Sequence, residues 1–300
     1  MKVGLIGLGK MGEAIAFRLI KAGHKVFAYD PNVDATKKVK RLGAEIVGDI
    51  VDLPKKAKII WLMVPAGKIV DQTIKKLKTN LKKEAIIIDG GNSNFKDSIR
   101  RAKSLEKQKI YFLDCGTSGG LHGKKMGFSL MVGGDAKIYK KMQPVFKAIS
   151  AKDGYAYMGP SGSGHYVKMI HNGIEYALLQ SYAEGFNLLK NGKFKNLNLE
   201  KISNVWGHGS VIRSWILELL HNVFKKDQDL KNISGEIGEN LTGRWSLQEA
   251  KKQKIPLDLV ERSLKIRELS RESGGNYATK IVSMLRNQFG GHPLKILKRK

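Results

Sequence analysis

The sequence predicts an α/β fold in two parts: a doubly wound, largely parallel sheet over the first half, followed by an all-α second half. Two observations carry that prediction. Through residues 1–150 short apolar runs alternate with helical patterns, and after Gly154 only helix-length apolar periodicity persists. Strands alternating with helices of this length form βαβ units, because neighbouring parallel strands need a crossover long enough to hold a helix.

The predicted strands are Val3–Gly7, Lys25–Tyr29, Glu45–Val47, Ile59–Val64, Ala85–Asp89, Tyr111–Asp114 and Phe128–Val132. Helical patterns fill residues 10–22, 34–42, 67–79, 93–106 and 135–149 between and after them. A short run, Tyr155–Met158, leads into a turn-rich stretch from Gly159 to His165, where Ser161 or Ser163 can cap a helix. Helical periodicity then holds from 164 to 189, with further helices expected over 198–206, 210–222, 245–253, 256–272 and 276–288. The expected division is a doubly wound α/β domain over 1–160 and an all-helical domain over 161–300. No internal repeat is present.

Composition narrows the class. The chain has 300 residues, 42% hydrophobic and 8% aromatic, enough for a real core rather than a disordered chain. Its one cysteine, Cys115, excludes an intramolecular disulfide and suits a reducing cytoplasm. It reads as a small buried strand residue, since no Cys–His pairing accompanies it. The apolar start, Met1–Gly9, is short, broken by glycine and followed by Glu13 and Arg18, so it reads as strand and turn rather than a signal peptide. No stretch reaches the ~20 apolar residues of a membrane span. The net charge of +27 invites a nucleic-acid reading, but the lysines are scattered over helix surfaces and no nucleic-acid-binding motif accompanies them. Such a field still favours an anionic small-molecule substrate. The histidines show no metal-ligand spacing, so no metal is expected. Trp206, Trp215 and Trp245 read as core residues, and Lys295–Lys300 as a solvated basic tail.

The first chemical motif is Gly7-x-Gly9-x-x-Gly12, closing a predicted strand and opening a predicted helix. The first glycine permits the turn, the second lets backbone approach a pyrophosphate, and the third lets helix pack on strand. Alone the pattern is weak; here the next strand ends in Asp30, an acidic residue placed to accept both ribose hydroxyls. Together they predict a Rossmann-like dinucleotide site built from Gly7, Leu8, Gly9, Lys10, Met11, Gly12, Asp30, Pro31 and Asn32. Asp30 repels a 2′-phosphate and no arginine follows it, so NAD is favoured over NADP, although Lys37 and Lys38 could approach a phosphate. Val64, Pro65, Ala66 and Asn92 follow the fourth and fifth strands, at the sheet edge where such folds bind ligands.

The second is the run Val167–Tyr176. Lys168, His171, Asn172 and Glu175 fall at i, i+3, i+4 and i+7, one stripe of a helix. The segment around them is apolar enough to be buried, which makes a lysine and a glutamate two turns apart unusual core residues. They would be two proton-transfer groups roughly 10 Å apart along the axis. The competing reading is a charged stripe facing water.

With these motifs, Asp89–Ser93 and Asp114-x-x-x-Ser118-Gly119-Gly120, the chain resembles the β-hydroxyacid dehydrogenase superfamily. The run Lys168–Tyr176, Gly243-Arg244-Trp245-Ser246 and Leu285–His292 resemble the decarboxylating 6-phosphogluconate dehydrogenase family in particular, in its short form. That resemblance implies that Lys168 is the base at the 3-hydroxyl and Glu175 the acid at C1, with burial or cationic neighbours lowering the lysine from its usual ~10.4. It assigns Asn92, Ser118, Gly119, Gly120, His171 and Asn172 to the sugar acid's carboxylate and hydroxyls. Tyr176, Arg244, Arg267, Arg286 and His292 fall to its far end, where arginine forks suit a phosphate. Arg244 departs from the lysine of the long forms. The resemblance also implies a dimer or tetramer with the tail near a neighbouring subunit's site. The alternatives are a dehydrogenase of a small unphosphorylated acid, and a non-catalytic basic nucleotide- or nucleic-acid-binding protein.

Overall fold

The computed structural model describes residues 1–297, so Lys298, Arg299 and Lys300 of the expected basic tail lie outside the described residues. The chain forms two compact units, Met1–Met169 and the residues from Ile170 onward.

The first unit runs β1 (Lys2–Ile6), α1 (Lys10–Lys21), β2 (Lys25–Tyr29), α2 (Val33–Arg41), β3 (Glu45–Ile46), α3 (Leu53–Lys56), β4 (Ile59–Leu62), α4 (Lys68–Leu77), β5 (Ile86–Asp89), α5 (Phe95–Glu106), β6 (Tyr111–Ser118), α6 (Gly123–Met126), β7 (Phe128–Gly133), α7 (Ala136–Ile149) and β8 (Ser150–Gly159). The strands make one eight-stranded sheet in the order β3-β2-β1-β4-β5-β6-β7-β8. Pairing is parallel from β3 through β6; β7 turns antiparallel to β6, and β8 pairs parallel to β7. The central strands β4 and β5 are buried at every position, as expected of a sheet covered on both faces. Apolar clusters lie on either side: Val3, Leu5, Trp61 and Phe146 belong to one, Ile60, Leu62, Val70 and Ile87 to the other.

The last helix to begin in this unit is α8 (Ser163–Asn191), which continues into the second. There follow α9 (Leu199–Gly207), α10 (Trp215–Lys226), α11 (Leu241–Gln253), α12 (Asp258–Ser273) and α13 (Tyr277–Gly290). Leu179, Ala183 and Phe186 of α8 pack with Leu217, Leu220 and Phe224 of α10 and Ile281, Val282 and Leu285 of α13. Among the described residues of this unit, the only extended pairing is a single bridge, Ile233 to Ile296.

Each predicted element forms with its predicted type, the four-residue helices α3 and α6 were not expected, and several boundaries differ. β6 runs four residues past its expected end at Asp114, to Ser118, and the run at Tyr155 lies inside a longer β8. α10 starts at Trp215 rather than 210, because Ser214 accepts the Leu217 N–H (3.1 Å) and so caps it. α11 starts at Leu241 because Asn240 caps it, which puts Gly243–Ser246 within its first two turns. Trp215, expected in the core, is 43% exposed: as the first residue of α10 it falls outside the apolar stripe of Leu217, Leu220 and Phe224. Cys115 is fully buried, and burial pushes its thiol well above the usual range.

Candidate active site

The glycine turn joins β1 to α1. Gly7 sits at φ +89°, and a Cβ there would lie 2.4 Å from the Met63 carbonyl oxygen. A Cβ on Gly12 would lie 1.9 Å from the Gly7 carbonyl oxygen, so α1 packs on the turn only with glycine at that place. At Gly9 a Cβ meets nothing within 4 Å, which leaves the backbone open at the N-terminus of α1. Asp30, at the end of β2, accepts the Leu8 N–H (2.6 Å) on one oxygen and the Asn32 N–H (2.7 Å) on the other. Each oxygen keeps a lone pair for a ribose hydroxyl. The turn, the open helix end and the acceptor pair fit a dinucleotide. Asn32 itself caps α2 through the Asp34 and Ala35 N–H groups.

Val64, Pro65 and Ala66 follow β4, and Asn92 stands exposed in the turn after β5. Beneath that turn Asp89, fully buried, accepts from Ser93 Oγ (2.7 Å) and the Gly91 N–H (3.2 Å) and lies 3.5 Å from Arg101 Nη1. Arg101, also buried, donates to the Gly67 carbonyl (2.9 Å) and to Asp71 (2.8 Å). One guanidinium therefore braces the turns after β4 and β5. Sequence reading missed it, since a lone arginine in a basic helix carries no signal. Ser118, Gly119 and Gly120 lie half-buried at the end of β6.

These contacts predict a separation of effects. Gly9→Ala is expected to leave thermal stability within about 0.5 kcal/mol while weakening NADH binding, because the added methyl enters open space. Gly12→Ala is expected to cost about 1–3 kcal/mol of stability as well. Thermal melts with NADH fluorescence titrations check both.

The stripe on α8 does not face water. Lys168 and Asn172 are each 5% exposed and His171 and Glu175 are half-buried, whereas the apolar Ile174 and Leu178 are exposed. Within the second unit, Asn172 Nδ2 donates to Thr242 Oγ1 (3.0 Å), Thr242 donates to Asn240 Oδ1, and Tyr176 OH donates to the same oxygen (2.6 Å). Thr242 and Asn240 were absent from the expected set. Their partners on α8 are 64 to 70 residues away in sequence.

Arg267 of α12 lies with its Cζ 3.5 Å from the centre of the Tyr176 ring. It is 1% exposed, and neither terminal nitrogen has a hydrogen-bond partner among the described residues. Burial pushes it down to about 10, and it stays charged at neutral pH. Arg286 of α13 is buried too, is lowered by that burial, and comes so close to Gly238 that a Cβ there would lie 3.2 Å from Nη1. Burial raises the Tyr176 hydroxyl, while the positive charges of Arg267 and Arg286 work the other way. Tyr176, Arg267, Arg286 and Glu175 interact electrostatically, so four of the expected residues come together here.

Two further expected residues have partners of their own. Arg244 is exposed and paired with Glu239 (2.6 Å), which also accepts from Arg271 (3.1 Å). His292 sits beyond α13 with its ring edge-on to Phe289, centroids 6.1 Å apart. Among the described residues no group of three His, Cys, Asp or Glu side chains is arranged to hold a metal.

A nucleotide-type glycine turn on a doubly wound sheet, joined to a helical unit with a buried arginine pair, defines a two-unit dehydrogenase class. The model of the NAD binding domain of 6-phosphogluconate dehydrogenase matches residues 2–159, and that of the C-terminal domain of 6-phosphogluconate dehydrogenase matches 164–293. The chain belongs to the 6-phosphogluconate dehydrogenase family. It is 44% identical over 297 residues to an NAD(+)-dependent, decarboxylating 6-phosphogluconate dehydrogenase of Haloferax volcanii, covering 97% of this chain and 98% of that one. A putative 6-phosphogluconate dehydrogenase of Bacillus subtilis is 41% identical over 295 residues, with 97% and 98% covered. Among solved structures, the Plasmodium falciparum 6-phosphogluconate dehydrogenase superposes with a TM-score of 0.83 at 31% identity, over 91% of this chain and 62% of that longer one.

Proposed function

We propose that this protein catalyses the NAD-linked oxidative decarboxylation of 6-phosphogluconate to ribulose 5-phosphate and carbon dioxide. The observation that carries the reading is Arg267: a buried guanidinium whose terminal nitrogens have no acceptor among the described residues, in a chain of this family. A desolvated cation is costly unless paired, and a bidentate phosphate matches its fork. Arg286, Tyr176, Arg244 and His292 complete the phosphate end.

Gly7 to Gly12 would hold the pyrophosphate of NAD, Asp30 its adenosine ribose, and Val64–Ala66 with Asn92 the part nearer the nicotinamide. When bound, NAD supplies the hydride acceptor. Lys168 takes the proton of the 3-hydroxyl as C3 is oxidised, which requires the neutral amine. The resulting β-keto acid loses carbon dioxide, and the protonated Lys168 stabilises the developing enolate oxygen. Glu175 protonates C1 of the enediol. Asn92, Ser118, Gly119, Gly120, His171 and Asn172 orient the carboxylate and hydroxyls.

Residues 1–160 form the cofactor domain in this reading and 161–300 the substrate domain. The exposed Ile174 and Leu178 support assembly into a dimer or tetramer, with the tail bearing His292 near a neighbouring site. No described helix is long and apolar enough to cross a membrane, and a single buried cysteine accords with a cytoplasmic enzyme. The test compares NADH formation on 6-phosphogluconate and on 3-hydroxyisobutyrate. Turnover of the phosphosugar acid alone supports the reading; turnover of the small acid alone overturns it.

A further inference from the structure

The helix that carries Lys168 begins without a side chain of its own to cap it. Gly162 precedes α8, and Ser163, one of the two serines expected as a cap, has its Oγ buried with no hydrogen-bond partner among the described residues. The first turn of a helix leaves N–H groups that must find acceptors elsewhere. Here Asp114 of β6 supplies them: Oδ1 accepts the Gly162 N–H (2.6 Å) and Oδ2 the His165 N–H (2.8 Å). These are the cap residue and the third residue of α8, so the carboxylate does the work of an N-cap side chain from 48 residues away. A carboxylate at a helix N-terminus also meets the positive end of the helix dipole. Asp114 is fully buried, so without these two donors it would be a costly group to keep.

The same strand seats the lysine. A Cβ on Gly116, two residues after Asp114, would lie 2.3 Å from Lys168 Cβ. A Cβ on Gly164 would lie 2.4 Å from the Met131 carbonyl oxygen and 2.5 Å from that of Asp114, so the helix start rests directly on sheet backbone. A second tether joins His165 Nδ1 to Ser98 Oγ of α5 (2.8 Å). Lys168 lies one turn beyond His165, so by helix geometry its position follows from that of the anchored first turn.

We infer that Asp114 is the positioning residue for Lys168, fixing the N-terminus of α8 so that the lysine sits on the Gly116 seat. Asp114 touches neither substrate nor cofactor in this account; it acts through the helix. The inference rests on the reading of Lys168 as the base.

The test uses the full-length protein with Asp114→Asn and, separately, Gly116→Ala. The asparagine removes the charge and can accept only one of the two N–H groups. The alanine pushes on Lys168 with the cap intact. Each variant is expected to lower kcat by about a hundredfold, the scale of a 1 Å misplacement, with NADH affinity and the KM for 6-phosphogluconate within about threefold. Proton and hydride transfer should then limit turnover, so the isotope effect with 3-deuterated substrate should rise above that of the native protein. NADH-binding stoichiometry gives the folded fraction. Should Asp114→Asn fail to fold, Gly116→Ala carries the test. A kcat that falls only in step with the folded fraction, with an unchanged isotope effect, would overturn the inference. Native protein that does not turn over 6-phosphogluconate would instead overturn the reading of Lys168.

Discussion

Lys168→Ala is expected to cut turnover of 6-phosphogluconate by about 10³-fold or more while leaving NADH affinity within about threefold. General acid–base catalysis by one positioned group contributes ~10²–10⁴, and in the proposed reaction Lys168 acts at two steps. Its burial makes it a poor candidate for a solvated surface lysine, and the glycine turn that would hold the cofactor lies at β1 and α1. Initial rates together with NADH fluorescence titration measure the two effects. Equal loss of binding and turnover would make the lysine structural.

The second large effect is at Arg267. Arg267→Met is expected to reduce kcat/KM for 6-phosphogluconate by about 10²–10⁴, since two charge-assisted hydrogen bonds to a phosphate are worth about 1.5–3 kcal/mol each. The same change should leave the ligand-free melting temperature equal or higher. The lost cation–π contact with Tyr176 is worth about 2 kcal/mol when desolvated, whereas a guanidinium desolvated without acceptors among the described residues costs several. A structural arginine would give the reverse: a lower melting temperature with kcat/KM preserved. NADH affinity, expected to stay within about threefold of the native protein, provides the control.

Much of this was legible in the sequence, for identifiable reasons. Period-two and period-3.6 apolar patterns report which face of an element is buried, so strands and helices came through with small boundary errors. Two of the errors sit where a polar side chain decides where a helix begins, as Ser214 and Asn240 do, and two where a strand, β6 or β8, runs past its apolar stretch. The glycine turn was legible because its three glycines each answer a steric demand within one strand–turn–helix. The α8 stripe was legible because helical spacing alone puts its four residues on one side.

What stayed hidden depends on contacts between distant residues. Asp114 appeared as one letter of a longer motif, yet its carboxylate serves a helix start 48 to 51 residues on. The Asn172–Thr242–Asn240–Tyr176 chain joins α8 to the start of α11, and no local pattern in either segment reports it. Arg101 lay among neighbouring lysines and arginines, and only its burial between Asp71, Asp89 and Gly67 sets it apart. Arg267 was expected at the phosphate end by resemblance; its lack of acceptors among the described residues is a property of the fold.

The most direct test of the central claim is an initial-rate measurement with 6-phosphogluconate and either NAD or NADP, with released carbon dioxide and ribulose 5-phosphate quantified in the same reaction. The account predicts equimolar NADH, carbon dioxide and ribulose 5-phosphate, with a higher kcat/KM for NAD because Asp30 repels a 2′-phosphate. Reduction of neither nucleotide on this substrate, or reduction without carbon dioxide release, would contradict it.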